Sequence, residues 1–455
     1  MNILLMTAPI KPFNNFKNPP LGLLSLASEI RDKHKVKILD LAMKDTSKNK
    51  LRKFISWSDV IGISSNWTMN KKNTIELAKW IKSVSPSIRI ISGGNHATFD
   101  YESYLDNGFD YIVMYEAERT FVDLINQLNS EDKNVKKVKG IAFKQNNEII
   151  VTEPRHFIKN LDNLKIPSWD LIDPSLYNTF QGRYYNMETS RGCIHKCIFC
   201  SDVAFWKNTW RSKSTKRVVH EMLLLKDQGA EFIRLIDANF GVDTERVIEI
   251  CNLLKKKRYD LPWSVSLTAN SIVQDPKMVR ALCEANCQII SIGFESGSDK
   301  ILKKLNKPNT VEINRKAIEI IKKSNIILHG AFMFGYPDES IKEIKKTIAL
   351  SKEVNLSSYS ILRPYLGTSM QPLIKKDSFD DYNQGKSFIH PHSKFIEKQL
   401  IKSYMGSLFN LNTLKKVLFS DRKSPGFRDF WLECIRFYTL VLFGKYKRKW
   451  SSICK

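Results

Sequence analysis

The sequence runs to 455 residues, 42% of them apolar, with a formal charge of +25 and 8 cysteines. That length is more than one ordinary core holds and the apolar share is enough to fill two, so one small domain is excluded. The basic residues are spread along the chain as a lysine-rich bias, and the charge alone is therefore a weak sign of nucleic acid or of an anionic membrane surface.

The amino terminus, "MNILLMTAPIKPF", has a short apolar run, no basic leader, and breaks at Pro9 and Pro12, which does not read as a signal peptide. A cytoplasmic chain is the expectation, with cysteines kept mostly as thiols. Strand-like runs at Asn2 to Thr7, Val36 to Leu41, Val60 to Ser64, Ile88 to Ser92 and Tyr111 to Met114 alternate with helical segments such as "LGLLSLASEIRD" and "KKNTIELAKWIKS". This predicts a doubly wound, Rossmann-like parallel sheet over 1–130, with ligands beyond the carboxyl ends of its strands. Those ends are "TAPIKPF", "SSNWTMN", "SGGNHATF" and "MYEAERTF".

Two β-rich runs around the polar turn "KQNNE" predict a small hairpin, and "NLDNLKIPSWDLIDPSLY", with Pro167 and Pro174, reads as a linker; together they fill 131–180. From about 183 the alternation resumes, with strands at "YYNMETS", "FIRLID", "WSVSLTA", "IISIGFE", "HGAFMFG" and "SYSILRP". Six successive βα units predict a partial (β/α)6, TIM-like barrel over 181–375, whose working face is again the carboxyl end of its strands. Residues 376–455 read as helical. Their last stretch, "FWLECIRFYTLVLFGKYKRKW", is interrupted by Glu433 and Arg436 and is too short to span a bilayer. It predicts either a helix packed on the barrel or one lying on an anionic membrane surface.

Cys193, Cys197 and Cys200 form "CIHKCIFC" at the end of the first barrel strand. Structural zinc asks for four ligands, usually from paired C-x2-C knuckles, and is under-supplied here. An iron-sulfur cluster suits three thiolates on a tight loop, with one iron left open for a ligand. The other five cysteines are scattered and read as buried or idle thiols.

A C-x3-C-x-aromatic-C run in this position resembles the signature of the radical S-adenosylmethionine (SAM) superfamily. The resemblance implies a 4Fe-4S cluster on Cys193, Cys197 and Cys200, with SAM chelating the open iron and being cleaved to methionine and a 5′-deoxyadenosyl radical. Phe199 matches the position that lies against adenine. "LIDANFGVD" resembles the second strand end, with Asp237 and Asn239 near the amino group of methionine, although the usual Gly-Gly-Glu run is absent. "SIGFESGSDKILKKLNK" resembles the fourth, with Glu295 and Ser296 near the ribose and methionine ends and with Gly293 and Gly297 letting the ligand approach backbone. "HGAFMFGYPDES" and "LRPYLGTSM" resemble the fifth and sixth, so the matches run from about 183 to 372.

The string "PPLGLLSLASEIRDKHKVKILDL", then "GISS" and "ISGGNHATF", resembles the cobalamin-binding domain that precedes this barrel in one large subgroup. Ser64, Asn66, Trp67, Gly93, Gly94 and His96 are the implied corrin contacts. No Asp-x-His-x-x-Gly follows the first strand: Asp32-Lys33-His34 gives only the first spacing, with Lys37 where Gly is needed. The corrin's lower face is therefore expected to lack a histidine ligand and to meet the loop from Asn66 to Met69.

The implied activity is radical SAM catalysis, with cobalamin-dependent methyl transfer to a carbon or phosphorus centre of a small-molecule or lipid-like substrate. Ring formation or rearrangement, with or without cobalamin, is the alternative, and a metal-containing nucleic-acid-binding protein the remote one. A flavodoxin or ferredoxin is implied as electron donor. No general acid or base stands out, and the substrate is not legible.

Overall fold

The structure, a computed structural model, describes residues 1–9, 18–43, 46–179, 182–374 and 395. It divides into two compact units, Met1–Tyr177 and Asn178–Lys455.

The first unit is organised by apolar strands that are buried on both sides, as a covered parallel sheet requires. In chain order it contains β1 (Asn2–Thr7), α1 (Leu21–Ile30), β2 (Lys35–Asp40), α2 (Lys48–Trp57), β3 (Val60–Ser64), α3 (Lys71–Val84), β4 (Arg89–Gly93), α4 (Asn95–Phe99), α5 (Tyr101–Leu105), β5 (Tyr111–Val113), α6 (Glu118–Asn129), β6 (Ile141–Gln145) and β7 (Glu148–Val151). The sheet order is β2-β1-β3-β4-β5-β6-β7, with β6 and β7 antiparallel. Alternation along β1 separates two cores: Leu4 and Met6 pack with Leu51 and Ile55 of α2 and Leu77 and Ile81 of α3. Ile3 and Leu5 pack with Leu23 and Ala27 of α1 and Phe121 and Leu124 of α6.

The hairpin expected in the connecting segment thus continues the first sheet, because β5 offers β6 an open edge. The stretch expected as a linker is also tied to this unit. Arg31 makes two 2.7 Å bonds to Asp170, Ser168 N donates to Leu24 O, and the Tyr177 hydroxyl donates to Asp40 at 2.7 Å.

The second unit contains β8 (Asn178–Thr179), β9 (Gly182–Met187), β10 (Ser190–Gly192), α7 (Ser201–Phe205), β11 (Trp210–Ser212), α8 (Thr215–Asp227), β12 (Phe232–Leu235), α9 (Thr244–Lys256), β13 (Trp263–Leu267), α10 (Ala269–Gln274), α11 (Lys277–Glu284), β14 (Cys287–Glu295), α12 (Asp299–Lys304), α13 (Val311–Lys322), β15 (Ile327–Phe334), α14 (Ile341–Ser351) and β16 (Leu356–Ile361). Its large sheet has the order β16-β15-β14-β13-β12-β9-β8, parallel from β16 to β9. These are the six expected barrel strands, with helix between each and the next, forming a partial barrel.

Local chemistry sets the helix starts. Ser214, Asp243, Thr268 and Thr310 each accept from a backbone N–H of the first turn, and Ser340 forms a capping box with Glu343. Along β14 and β15, Ile290, Ile292, Phe294, Leu328 and Phe332 are buried. Apart from Ile289, Ile327 and Met333, the alternate positions carry small or polar groups, with Ser266 beside Ser291 and Ser291 beside His329 in register. A complete barrel fills that inner face with branched apolar side chains; here much of it is polar. Both nitrogens of His329 are engaged, Nδ1 3.2 Å from Ser291 Oγ and Nε2 3.0 Å from Ser358 Oγ, and burial pulls its pKa down to about 4. It is a neutral imidazole at physiological pH.

The helix and membrane contact expected at "FRDFWLECIRFYTLVLFGKYKRKW" lie outside the described residues. Among the described residues no helix is long and apolar enough to cross a membrane.

Candidate active site

The cysteine loop is launched by a corner that only glycine can turn. Gly192 ends β10 at φ +84, and a Cβ there would lie 2.0 Å from Thr209 O. Cys193 and Cys197 are buried and Cys200 is half-buried, all as thiols rather than disulfides. Within the loop Cys200 N donates to Cys197 O at 3.2 Å, and from outside it Leu305 O accepts from Ile198 N at 3.1 Å.

Burial raises all three thiol pKa values, that of Cys200 to about 12. Backbone N–H groups of His195 and Ile194 act in the opposite sense on Cys193, as do those of Val203 and Asp202 on Cys200. Iron that binds thiolate must displace those protons, and N–H groups aimed at sulfur are what an anionic cluster needs. Among the described residues no three His, Cys, Asp or Glu side chains converge as ligands of one metal ion. Ligands of a four-iron cube attach to different irons, and three thiols on one short loop with backbone N–H groups near them are the kind of donor set such a cluster takes.

The expected SAM contacts are brought to the carboxyl end of the large sheet, but most are already engaged. Asp237, 3% exposed, accepts from Thr189 N at 2.7 Å, Thr189 Oγ1 at 2.6 Å and Ser190 Oγ at 2.5 Å. Expected beside an ammonium, it ties down the corner from which the cysteine loop departs. Asn239 is buried and accepts from Gly241 N. Ser296 is fully buried, its hydroxyl 3.1 Å from Thr347 Oγ1 and accepting from Ser298 N. Phe199 packs with Ile301, Leu305, Leu362 and Met370. Glu295 pairs with Lys307 at 3.0 Å.

The two glycines expected to admit ligand are also approached by protein atoms. A Cβ on Gly297 would lie 2.4 Å from Lys346 O of α14, and one on Gly293 would lie 2.3 Å from Glu295 Oε1. At Gly297 the neighbour is backbone, which leaves no room for a side chain.

In the first unit the expected corrin contacts lie on the neighbouring loops after β3 and β4. Asn66 Oδ1 accepts from Asn95 N, and its amide donates to Ser64 Oγ, both at 3.2 Å. Gly94 has φ +106, and a Cβ there would lie 2.2 Å from Asn66 Oδ1, so it is bare in order to bring the two loops together. A Cβ on Gly93 would lie 3.2 Å from Val113 O. Trp67 and Met69 are 63% and 50% exposed, large apolar groups presented outward from one short loop. His96 is 4% exposed. Its Nδ1 is 3.2 Å from Thr68 Oγ1 and its Nε2 3.3 Å from Asp100, which also pairs with buried Lys71. The imidazole Nδ1 is hydrogen-bonded to the scaffold, whereas Nε2 lies near Asp100 without a hydrogen bond among the described residues.

Sequence reasoning missed Thr189, Ser190 and Lys307. The hydroxyls of "ETSRGC", directly before the first cysteine, were a readable sign; a lysine in a lysine-rich stretch was not.

One further buried carboxylate lies in the turn after β15. Glu339 Oε2 accepts from Gly335 N at 2.7 Å, and burial raises its pKa from 4.5 to about 7. The folded chain therefore holds a proton that the unfolded chain sheds above 4.5. The associated stability is complete below that value and is lost as pH rises through 7. Glu339→Gln is expected to flatten the decline in urea midpoint between pH 5 and 8, by up to roughly 3 kcal/mol. Parallel profiles for the two proteins would contradict it.

Comparison with known proteins matches residues 187–351 to the radical SAM superfamily and residues 15–125 to the B12 binding domain. An uncharacterized methyltransferase of Pyrococcus horikoshii is 31% identical over 381 residues, covering 81% of this chain and 82% of that one. An anaerobic magnesium-protoporphyrin IX monomethyl ester cyclase of Rubrivivax gelatinosus is 26% identical over 365 residues, covering 76% of this chain and 64% of the cyclase. The solved structure of the cobalamin-dependent S-adenosylmethionine radical enzyme OxsB, with aqua-cobalamin bound, shares the fold. Its TM-score is 0.77 at 20% identity, over 98% of this chain and 73% of that one.

Proposed function

The chain belongs to the radical SAM superfamily, in the group whose barrel follows a B12-binding domain, and from that premise we propose that it transfers a methyl group to a carbon or phosphorus centre of a small-molecule substrate. It is an enzyme whose cofactors are a 4Fe-4S cluster, SAM and cobalamin. When bound, the cluster supplies an electron to the sulfonium of SAM and the corrin supplies a methyl carrier.

The observation that carries the reading is the cysteine loop, whose three thiols lie within eight residues and receive backbone N–H groups. Cys193, Cys197 and Cys200 hold three irons, and the fourth is left for SAM. Phe199 offers an apolar wall for adenine, and Glu295 is the carboxylate best placed for the ribose or the methionine amine. Asp237, Asn239 and Ser296 act one step back by fixing the corners that carry those groups. In the first unit, Trp67 and Met69 meet the corrin over a loop that Asn66 and Gly94 hold in place, with His96 behind it. The polar inner face at Ser266, Ser291 and His329 suits a substrate with hydrogen-bonding groups.

Anaerobic reconstitution of the full chain tests this. The expected load is about four irons and about one corrin per chain. Incubation with SAM and a one-electron reductant, such as reduced flavodoxin or ferredoxin, should then release both S-adenosylhomocysteine and 5′-deoxyadenosine. Release of 5′-deoxyadenosine alone favours ring formation or rearrangement, the chemistry of the cyclase relative. Absence of corrin overturns the methyl-transfer reading.

A further inference from the structure

The segment after α12 meets the cysteine loop through two successive residues, and the next one brings a positive charge within electrostatic reach of its thiols. Leu305 O accepts from Ile198 N at 3.1 Å, Asn306 Nδ2 donates to Lys196 O at 2.8 Å, and Lys307 directs its charge at the thiols. That one ammonium acts on Cys193 and Cys197, and it is itself influenced by Cys200. Its side chain is 12% exposed, and that of its partner Glu295 is 10% exposed, at 3.0 Å.

The backbone is bent to make this pair. The register of β14 against β15 slips between Gly293 and Glu295, and Glu295 stands at φ +62, a conformation that a side-chain-bearing residue adopts at a cost. A Cβ on Gly293 would lie 2.3 Å from Glu295 Oε1 and 3.2 Å from Lys307 Nζ. A bulge, a left-handed glutamate and a bare glycine therefore converge on one ion pair. A buried pair is a poor source of stability, since two desolvated charges recover little more than they lose. The arrangement makes sense if the cation has a second anionic neighbour.

We propose that Lys307 is a positioning residue of the cluster site, whose ammonium offsets the negative charge of the three thiolates and their cluster while it holds Glu295 in place. The inference rests on the assignment of Cys193, Cys197 and Cys200 as cluster ligands. Its consequence is electrochemical. Reduction adds one electron to the cluster, taken from a one-electron donor such as reduced flavodoxin or ferredoxin, and no bond is made or broken in that step. A fixed positive charge favours the more negative, reduced form, so it raises the potential at which the cluster accepts the electron. Glu295 has the opposite sign and moderates the effect.

The test is a redox titration followed by electron paramagnetic resonance, on the full chain reconstituted anaerobically and without SAM. Wild type is compared with Lys307→Met, Lys307→Arg and Glu295→Gln. Lys307→Met is expected to load a cluster whose reduced-to-oxidised ratio at a fixed poise falls about tenfold. Lys307→Arg should stay near wild type, and Glu295→Gln should shift the ratio upward. A loaded Lys307→Met with an unchanged ratio overturns the proposal. So does a downward shift shared by Lys307→Met and Glu295→Gln, which would mark the pair as packing alone. If Lys307→Met takes up no iron, uptake by Lys307→Arg supports the role of charge, and failure of both overturns it. A wild-type chain that takes up no iron fails at the earlier step, the cluster assignment itself, and removes this proposal with it.

Discussion

Replacing Cys197 by serine is expected to abolish the cluster absorbance and to lower SAM cleavage by roughly a thousandfold or more, a change of about 4 kcal/mol on the barrier. A serine hydroxyl is harder and far less acidic than a thiol, so it is a poor ligand for iron where sulfur is preferred. The substitution is nearly isosteric in a position that is 7% exposed, and the fold should survive it. Corrin uptake should also survive, because the B12-binding domain lies in the other compact unit. Iron and corrin measured on the same sample separate loss of one cofactor from general unfolding. Retention of both iron and SAM cleavage would overturn the assignment of this loop.

Asp237→Ala is expected to cost about 3–5 kcal/mol and to lower cluster occupancy along with stability. The carboxylate accepts three hydrogen bonds, all from Thr189 and Ser190, and those donors are buried. Alanine would leave an amide and two hydroxyls without their acceptor at the corner before Gly192. Arg246 braces the same corner, donating to Thr189 O at 3.0 Å and to Lys213 O at 3.1 Å, so the damage should spread into the start of the loop. Asp237→Asn is the discriminating variant. Its oxygen can still accept from Thr189 N, and the hydroxyls can rotate to accept from its amide. Stability near wild type, with unchanged SAM affinity, is the expected outcome, measured by urea denaturation and equilibrium binding. A stable Asp237→Asn protein that no longer binds SAM would show that the carboxylate meets the ligand after all.

Much of the architecture was legible because its signals are local. Apolar runs such as "NILLMT" and "VIGIS" are buried on both faces and therefore show no alternation, which is how a covered parallel strand reads. The capping hydroxyls of Ser214 and Thr310 precede helical periodicity by one residue, and the three cysteines occupy a single turn of chain. The hairpin at Ile141–Val151 was also visible, but its attachment was not. Which sheet receives a hairpin depends on where an open edge lies, and no property of the hairpin's own residues reports that.

The roles of the polar site residues divide along the same line. The two α/β units and the three thiols of the cysteine loop could be read from the sequence, because each follows from short-range geometry or from a spacing of a few residues. Tertiary structure alone decided which polar groups remain available to a ligand. The donors that occupy Asp237 lie 47 and 48 residues before it, Ser296 meets Thr347 across 51 residues, and His96 meets Thr68 across 28. A carboxylate or an imidazole looks the same in sequence whether it faces a cofactor or a neighbouring strand. Only folding brings in partners for its hydrogen bonds, and only folding pairs Lys307 with Glu295 within electrostatic reach of the cysteine thiols.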